Sequence, residues 1–191
     1  MPGLSLDAKT TALVLIDLQK GIARYSTAPH GSADVIANAI KLAERCRAKG
    51  STVVLVRVAF AADGSDRVQT PTDAQPPASP PAADWSEIVP ELGPKAGDLV
   101  VTKHQWGAFY GTELELQLRR RGIKTIVIGG ISTNFGVEST ARDAYERAFA
   151  LVFVEDATAA MSAEAHAFAM ANIFPRLGLV RSTSDVLNAL G

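Results

Sequence analysis

The side chains best suited to chemistry in this sequence stand where apolar runs end. "TALVLID" closes on Asp17, "DLVVTK" closes on Lys103, and "KTIVIGG" leads into "ISTNFGVESTARDA". A carboxyl group at such a place can give or take a proton, and a neighbouring ammonium favours its ionised form while burial favours the neutral one. A helix that opens directly after a strand offers backbone N–H groups and the positive end of its dipole, which suit a developing oxyanion. The passage Ile131, Ser132, Thr133, Asn134 and Phe135 is therefore the expected substrate- and oxyanion-binding segment, and Gly136 lets a substrate approach the backbone closely. Ser132 and Thr133 carry hydroxyls, but a hydroxyl nucleophile needs a base such as histidine, and none is adjacent in sequence. Trp106, with Phe109 and Tyr110, follows the lysine run and is placed to wall a pocket for a flat or unsaturated molecule.

The elements that must position these residues alternate. Short Val- and Ile-rich runs at "TALVLID", "STVVLVRVAF", "DLVVTK", "KTIVIGG", "ALVFVED" and "LGLVRST" are separated mostly by segments of helical character. Such alternation predicts an α/β fold, a parallel sheet covered by helices on both faces. In an open sheet of this kind, ligands bind beyond the carboxyl ends of the strands, where Asp17, Lys103 and the glycine-opened helix all fall. "SADVIANAIKLAERCRAKG" places Ile36, Ala39, Ile40, Ala43 and Cys46 on one apolar face, so Cys46 reads as a buried hydrophobe rather than a nucleophile. Thr112 and Glu115 have the spacing of a capping box for "ELELQLRRR", which Gly122 is placed to end. The Arg119 to Arg121 run reads as a solvated helix terminus, and "SDVLNAL" as a short capped helix. Residues 61–98 hold most of the prolines and break the alternation, which suggests a lid, a binding loop or an intersubunit arm.

Bulk properties narrow the partners. The 191 residues, 47% of them hydrophobic, suit one domain spanning 1–191. Lysine plus arginine number 19 against 20 acidic residues, a balance that provides no field for nucleic acid or an anionic membrane. One cysteine excludes an internal disulfide, and no secretory or membrane-spanning pattern is evident, so a cytoplasmic protein acting on a small molecule is expected. "GGISTNFG" does not supply the spacing of a dinucleotide fingerprint. His30, His104 and His166 are scattered and form no ligand motif, and each reads as structural or exposed. His104 adjoins Lys103, but strand neighbours point to opposite faces. No metal and no cofactor are expected.

With these residues in place, the chain resembles the isochorismatase-like superfamily of cysteine hydrolases over nearly its whole length. "TALVLIDLQKGI" is similar to the family's first strand with its catalytic aspartate. "VVTKHQWGAFYGTELELQLRRRGIKTIVIGGISTN" resembles the lysine strand with the helix and strand that follow, and "GVESTARDAYERAFALVFVEDAT" the nucleophile helix and fifth strand. The resemblance implies a three-layer α/β/α fold with a six-stranded parallel sheet of order 3-2-1-4-5-6, a homodimer or homotetramer, and a cis peptide at Ile131–Ser132. It also assigns Asp17 and Lys103 to catalysis and puts Gly136 where the family's amidases carry the attacking cysteine. The family's isochorismatases have glycine there too, and in them the aspartate protonates a vinyl ether without a covalent enzyme intermediate. They carry Tyr-Ala-His before the helix where this chain has Ser132, Thr133 and Asn134, which implies a different pocket.

Two functions follow from these residues. In the first, a hydrolase works without a thiol, Asp17 being a general acid if burial dominates its ionisation, or a general base for water if Lys103 dominates. In the second, a catalytically silent relative binds a metabolite or serves as an oligomeric scaffold.

Overall fold

The computed structural model describes residues 4–74 and 81–191. The elements run β1 (Thr11–Ile16), α1 (Lys20–Ala23), α2 (Ser32–Lys49), β2 (Thr52–Val58), β3 (Leu99–Lys103), α3 (Leu114–Arg120) and β4 (Thr125–Ile131). A π-helical turn (Thr133–Val137) then opens α4 (Glu138–Glu146), followed by β5 (Ala150–Ala159), α5 (Ala163–Phe168), a second π-helical turn (Ala169–Ile173), α6 (Phe174–Leu177), β6 (Leu179–Arg181) and α7 (Thr183–Ala189). All strands pair in parallel, in the order β3-β2-β1-β4-β5-β6. The sheet therefore has the six strands and the order expected.

The apolar runs are unbroken because each strand is covered on both sides. In β1 all six residues are buried. Ala12, Val14 and Ile16 pack with Leu114 and Leu118 of α3, Ala141 and Ala144 of α4, and Phe174 of α6. Leu13 and Leu15 face the other way, into Val35, Ala39, Leu42 and Cys46 of α2 and Val186 of α7. Period-two alternation thus divides one sequence run between two apolar layers. Strand order reverses at β1, between β2 on one side and β4 on the other, and Asp17 is the residue just past its end.

Two local expectations need correction. Thr112 Oγ1 accepts from Leu114 N at 3.2 Å, but Glu115 does not complete a capping box. Its carboxylate instead meets Arg147 Nε at 2.9 Å and Arg119 Nε at 3.5 Å, because an ion pair with two guanidinium groups outcompetes the return bond to the backbone. The arginine run is exposed as expected, and the Arg119 guanidinium also lies 4.1 Å above the Phe149 ring and donates to Arg147 O. The C-terminal helix starts earlier than "SDVLNAL" suggests, with a capping box between Ser182 and Asp185. Gly122 does end α3 region backbone in the left-handed conformation, at φ 66°.

Within 61–98, the part from Trp85 onward is pinned to the sheet layers. Gln19 pairs with Ile88 in an isolated antiparallel bridge. The fully buried Gln19 amide accepts from Val58 N at 2.9 Å and donates to Val58 O at 3.0 Å and Trp85 O at 3.1 Å. Farther along, Arg47 of α2 grips Asp98 with two bonds, at 3.0 and 2.7 Å, and reaches Leu92 O at 3.0 Å.

Candidate active site

The ends of β1, β3 and β4 bring the chemical groups together. Asp17 leaves β1 in a left-handed conformation, φ 54°, unusual for a residue with a side chain. Such a conformation costs on the order of 1–3 kcal/mol and gathers at functional sites. Lys103, the last residue of β3, is almost completely buried, and its Nζ donates to Asp17 Oδ2 at 2.8 Å, Trp106 O at 2.8 Å and Gln105 O at 3.1 Å. Three acceptors match the three N–H bonds of an ammonium group. Asp17 Oδ1 is buried and, among the described residues, has no hydrogen-bond partner. Burial, only partly opposed by Lys103, pushes the Asp17 carboxyl up to about 6.

Gly136 faces this pair from the π-helical turn, where Val137 N bonds back to Ser132 O at 3.2 Å. The extra residue per turn is a recurring feature of functional helices. A Cβ on Gly136 would stand 2.9 Å from Asp17 Oδ2, 3.0 Å from Ile16 Cγ2 and 3.5 Å from Lys103 Nζ. Any side chain at position 136 would therefore emerge directly against the carboxylate and the ammonium. The peptide Ile131–Ser132 is cis, as the resemblance implied.

These groups line a cleft of about 850 Å³. Asp17, Lys103, Trp106, Ile131, Ser132, Phe135 and Gly136 all border it, so seven of the nine expected site residues meet there. Trp106 packs on Phe135 with ring centroids 4.9 Å apart, and both are exposed. Of the other two, the Thr133 hydroxyl turns away to His166 Nδ1 at 2.9 Å, and Asn134 Oδ1 accepts from Ser132 Oγ at 2.9 Å. Phe109 lies in the core against Phe149, and Tyr110 is exposed. Part of the cleft wall comes from the proline-rich segment, with Arg67, Val68 and Trp85. Arg67 lies 4.4 Å over the Phe60 ring and brings a cation to the cleft that the sequence alone did not single out. Cys46 lies on the buried face of α2, with its thiol pushed up to about 12 by burial, and takes no part.

The histidines depart from expectation. His104 borders the same cleft as Lys103, because it lies past the end of β3 where strand alternation no longer applies. His30 and His166, 136 positions apart in the chain, meet edge to face with ring centroids at 5.8 Å. Both reach Glu155 Oε1, His30 Nε2 at 2.9 Å and His166 Nε2 at 3.2 Å. They are not scattered, since the loop before α2, the middle of β5 and α5 converge on one point that no short-range spacing reveals.

Comparison with known proteins identifies the family. The isochorismatase domain model matches residues 11–185. The chain belongs to the isochorismatase family. Over 187 residues it is 52% identical to the uncharacterized isochorismatase family protein YecD of Escherichia coli O157:H7, covering 98% of this chain and 100% of that one. An isochorismatase family protein of Burkholderia thailandensis has the same fold, with a TM-score of 0.93 and 47% identity over 98% of each chain. The ureidoacrylate amidohydrolase RutB of Methylobacterium radiotolerans is 31% identical over 212 aligned positions, covering 98% of this chain and 82% of that one. No helix among the described residues is long and apolar enough to cross a membrane.

Proposed function

We propose that this isochorismatase-family hydrolase cleaves a small, flat or unsaturated molecule without a covalent enzyme intermediate, using Asp17 as general acid. The observation that carries the proposal is the Asp17 carboxyl itself: buried, with one oxygen unpartnered and its pKa raised to about 6. Lys103 binds Oδ2 and leaves Oδ1 without a partner, so a proton on the carboxyl group is not displaced there by a competing donor. Gly136 supplies no nucleophile, and its bare backbone borders the cleft beside Asp17 and Lys103. Trp106 and Phe135 provide a surface for a planar group. In RutB the named activity is amide hydrolysis of ureidoacrylate, so amides stand beside vinyl ethers and esters among the bonds to test.

A panel of small vinyl ethers, amides and esters, followed by product formation, tests the proposal. Turnover of a panel member should fall by roughly 10²–10⁴-fold in Asp17→Asn, the usual contribution of a positioned proton donor. The pH dependence of kcat/KM fixes the direction of proton transfer. An acid that titrates near 6 gives a rate that is flat below this pH and drops tenfold per unit above it. A rate that instead rises through pH 6 makes Asp17 a base, and binding without turnover across the panel makes the protein a silent metabolite binder.

A further inference from the structure

Three potential ligand atoms outside the cleft converge on one point. His30 precedes α2, Glu155 lies in β5 and His166 lies in α5. Their donor atoms all lie within 4.8 Å of one another. Ligands held about 2.0–2.1 Å from a tetrahedral ion stand about 3.3 Å apart. The two nitrogen-to-oxygen edges, at 2.9 and 3.2 Å, already have nearly that length. The nitrogen-to-nitrogen edge needs to close by at most about 1.5 Å to reach it. We propose that His30, Glu155 and His166 form a binding site for one divalent transition-metal ion of the zinc type, with water completing its coordination.

The donor set selects the metal class. Two imidazoles and one carboxylate suit zinc, cobalt or nickel, whereas calcium and magnesium require mostly oxygen ligands. The surroundings also match what a metal-binding histidine needs. When His166 Nε2 gives its lone pair to the ion, Nδ1 carries the ring proton and donates to the buried Thr133 hydroxyl, now 2.9 Å away. Such an outer contact fixes the ring's orientation and tautomer. An entry path exists, because the side chains of His30 and Glu155 are 29% and 38% exposed while His166 is buried. None of the three residues borders the Asp17–Lys103 cleft. The ion would reach the site only through Thr133, which starts the turn that carries Gly136, so its role there is to hold that turn. The proposal is independent of which bond Asp17 cleaves, and of whether it cleaves one.

The full chain without an affinity tag, stripped with a chelator, is titrated with Zn²⁺ by calorimetry and with Co²⁺ by visible absorption. One equivalent should bind, with a four- or five-coordinate cobalt spectrum and a raised Tm. His30→Gln, which leaves Glu155 an amide donor, and Glu155→Gln should each weaken binding at least about tenfold, and Thr133→Val should weaken it about 10- to 100-fold. In the unaltered protein, Co²⁺ should shift the imidazole NMR signals of His30 and His166 but not those of His104, a readout that needs no variant. Absence of Zn²⁺ binding at millimolar concentration, binding unaffected by His30→Gln, cobalt shifts at His104 alone, or equal binding of Mg²⁺ would overturn the site.

Discussion

Asp17→Asn separates the two forces acting on the buried carboxyl group, and it does so without a substrate. Burial raises the group to about 6 against an ordinary 3.8, and Lys103 pulls the other way. Since the folded protein holds this proton more tightly than the unfolded chain, the associated stability is fully present below about 3.8 and is lost as pH rises through 6. A gap of about two pH units at 1.36 kcal/mol each corresponds to roughly 3 kcal/mol, of which roughly 2–3 kcal/mol is lost between pH 4 and pH 7. Asparagine has nearly the same shape, tolerates the left-handed backbone at φ 54° and does not titrate. Lys103 keeps its two carbonyl acceptors in the variant, so the cost of losing the carboxylate enters as a nearly constant offset. The unfolding free energy of the native sequence minus that of Asp17→Asn should therefore fall by roughly 2–3 kcal/mol from pH 4 to pH 7, mostly below pH 6. Urea denaturation at half-unit pH steps measures it, with the other titrating groups common to both proteins. A difference that stays flat, or that grows with pH, would show Lys103 dominating burial and would refute Asp17 as the acid.

Two further substitutions probe the same architecture. Gly136→Cys puts a thiol against Asp17 and Lys103 with its Cβ 2.9 Å from the carboxylate oxygen; it should cost about 1–3 kcal/mol of stability from crowding, and the thiol beside the ammonium should titrate below the usual ~8.5. The pH dependence of its alkylation rate checks this, and an ordinary thiol would mean the ammonium does not govern that position. Gly21→Ala would set a Cβ 1.9 Å from Trp85 Cδ1, so Trp85 must move; a changed tryptophan emission spectrum and a loss of about 1–3 kcal/mol are expected, and an unchanged spectrum at full stability would show that the wall is not packed on α1.

Asp17 and Lys103 were legible because a charged residue closing a short apolar run marks the place where a buried strand emerges, and in a parallel sheet those places share one edge. The layered fold was legible for the same reason, since strands such as β1, buried on both faces, leave an unbroken apolar signature. Contacts between distant elements were not. Glu115 had the spacing of a cap, yet Arg147, 32 positions later, takes its carboxylate. His30, Glu155 and His166 carry no local pattern because β5 continues to Ala159, past the acidic pair that closes its apolar run, and delivers Glu155 to two histidines on separate elements. Arg67 was hidden in a segment whose composition says only that it is irregular.

The anchoring of the proline-rich segment has an evolutionary corollary. Gln19 clasps the chain at Trp85 and Arg47 clasps it again at Asp98, so the stretch between Phe60 and Trp85 departs from and returns to fixed points. Doubling the length of such a span adds only about 0.6 kcal/mol of closure entropy. Descendants can thus splice, shorten or rewrite that cassette and acquire new molecular tastes while inheriting an undisturbed frame.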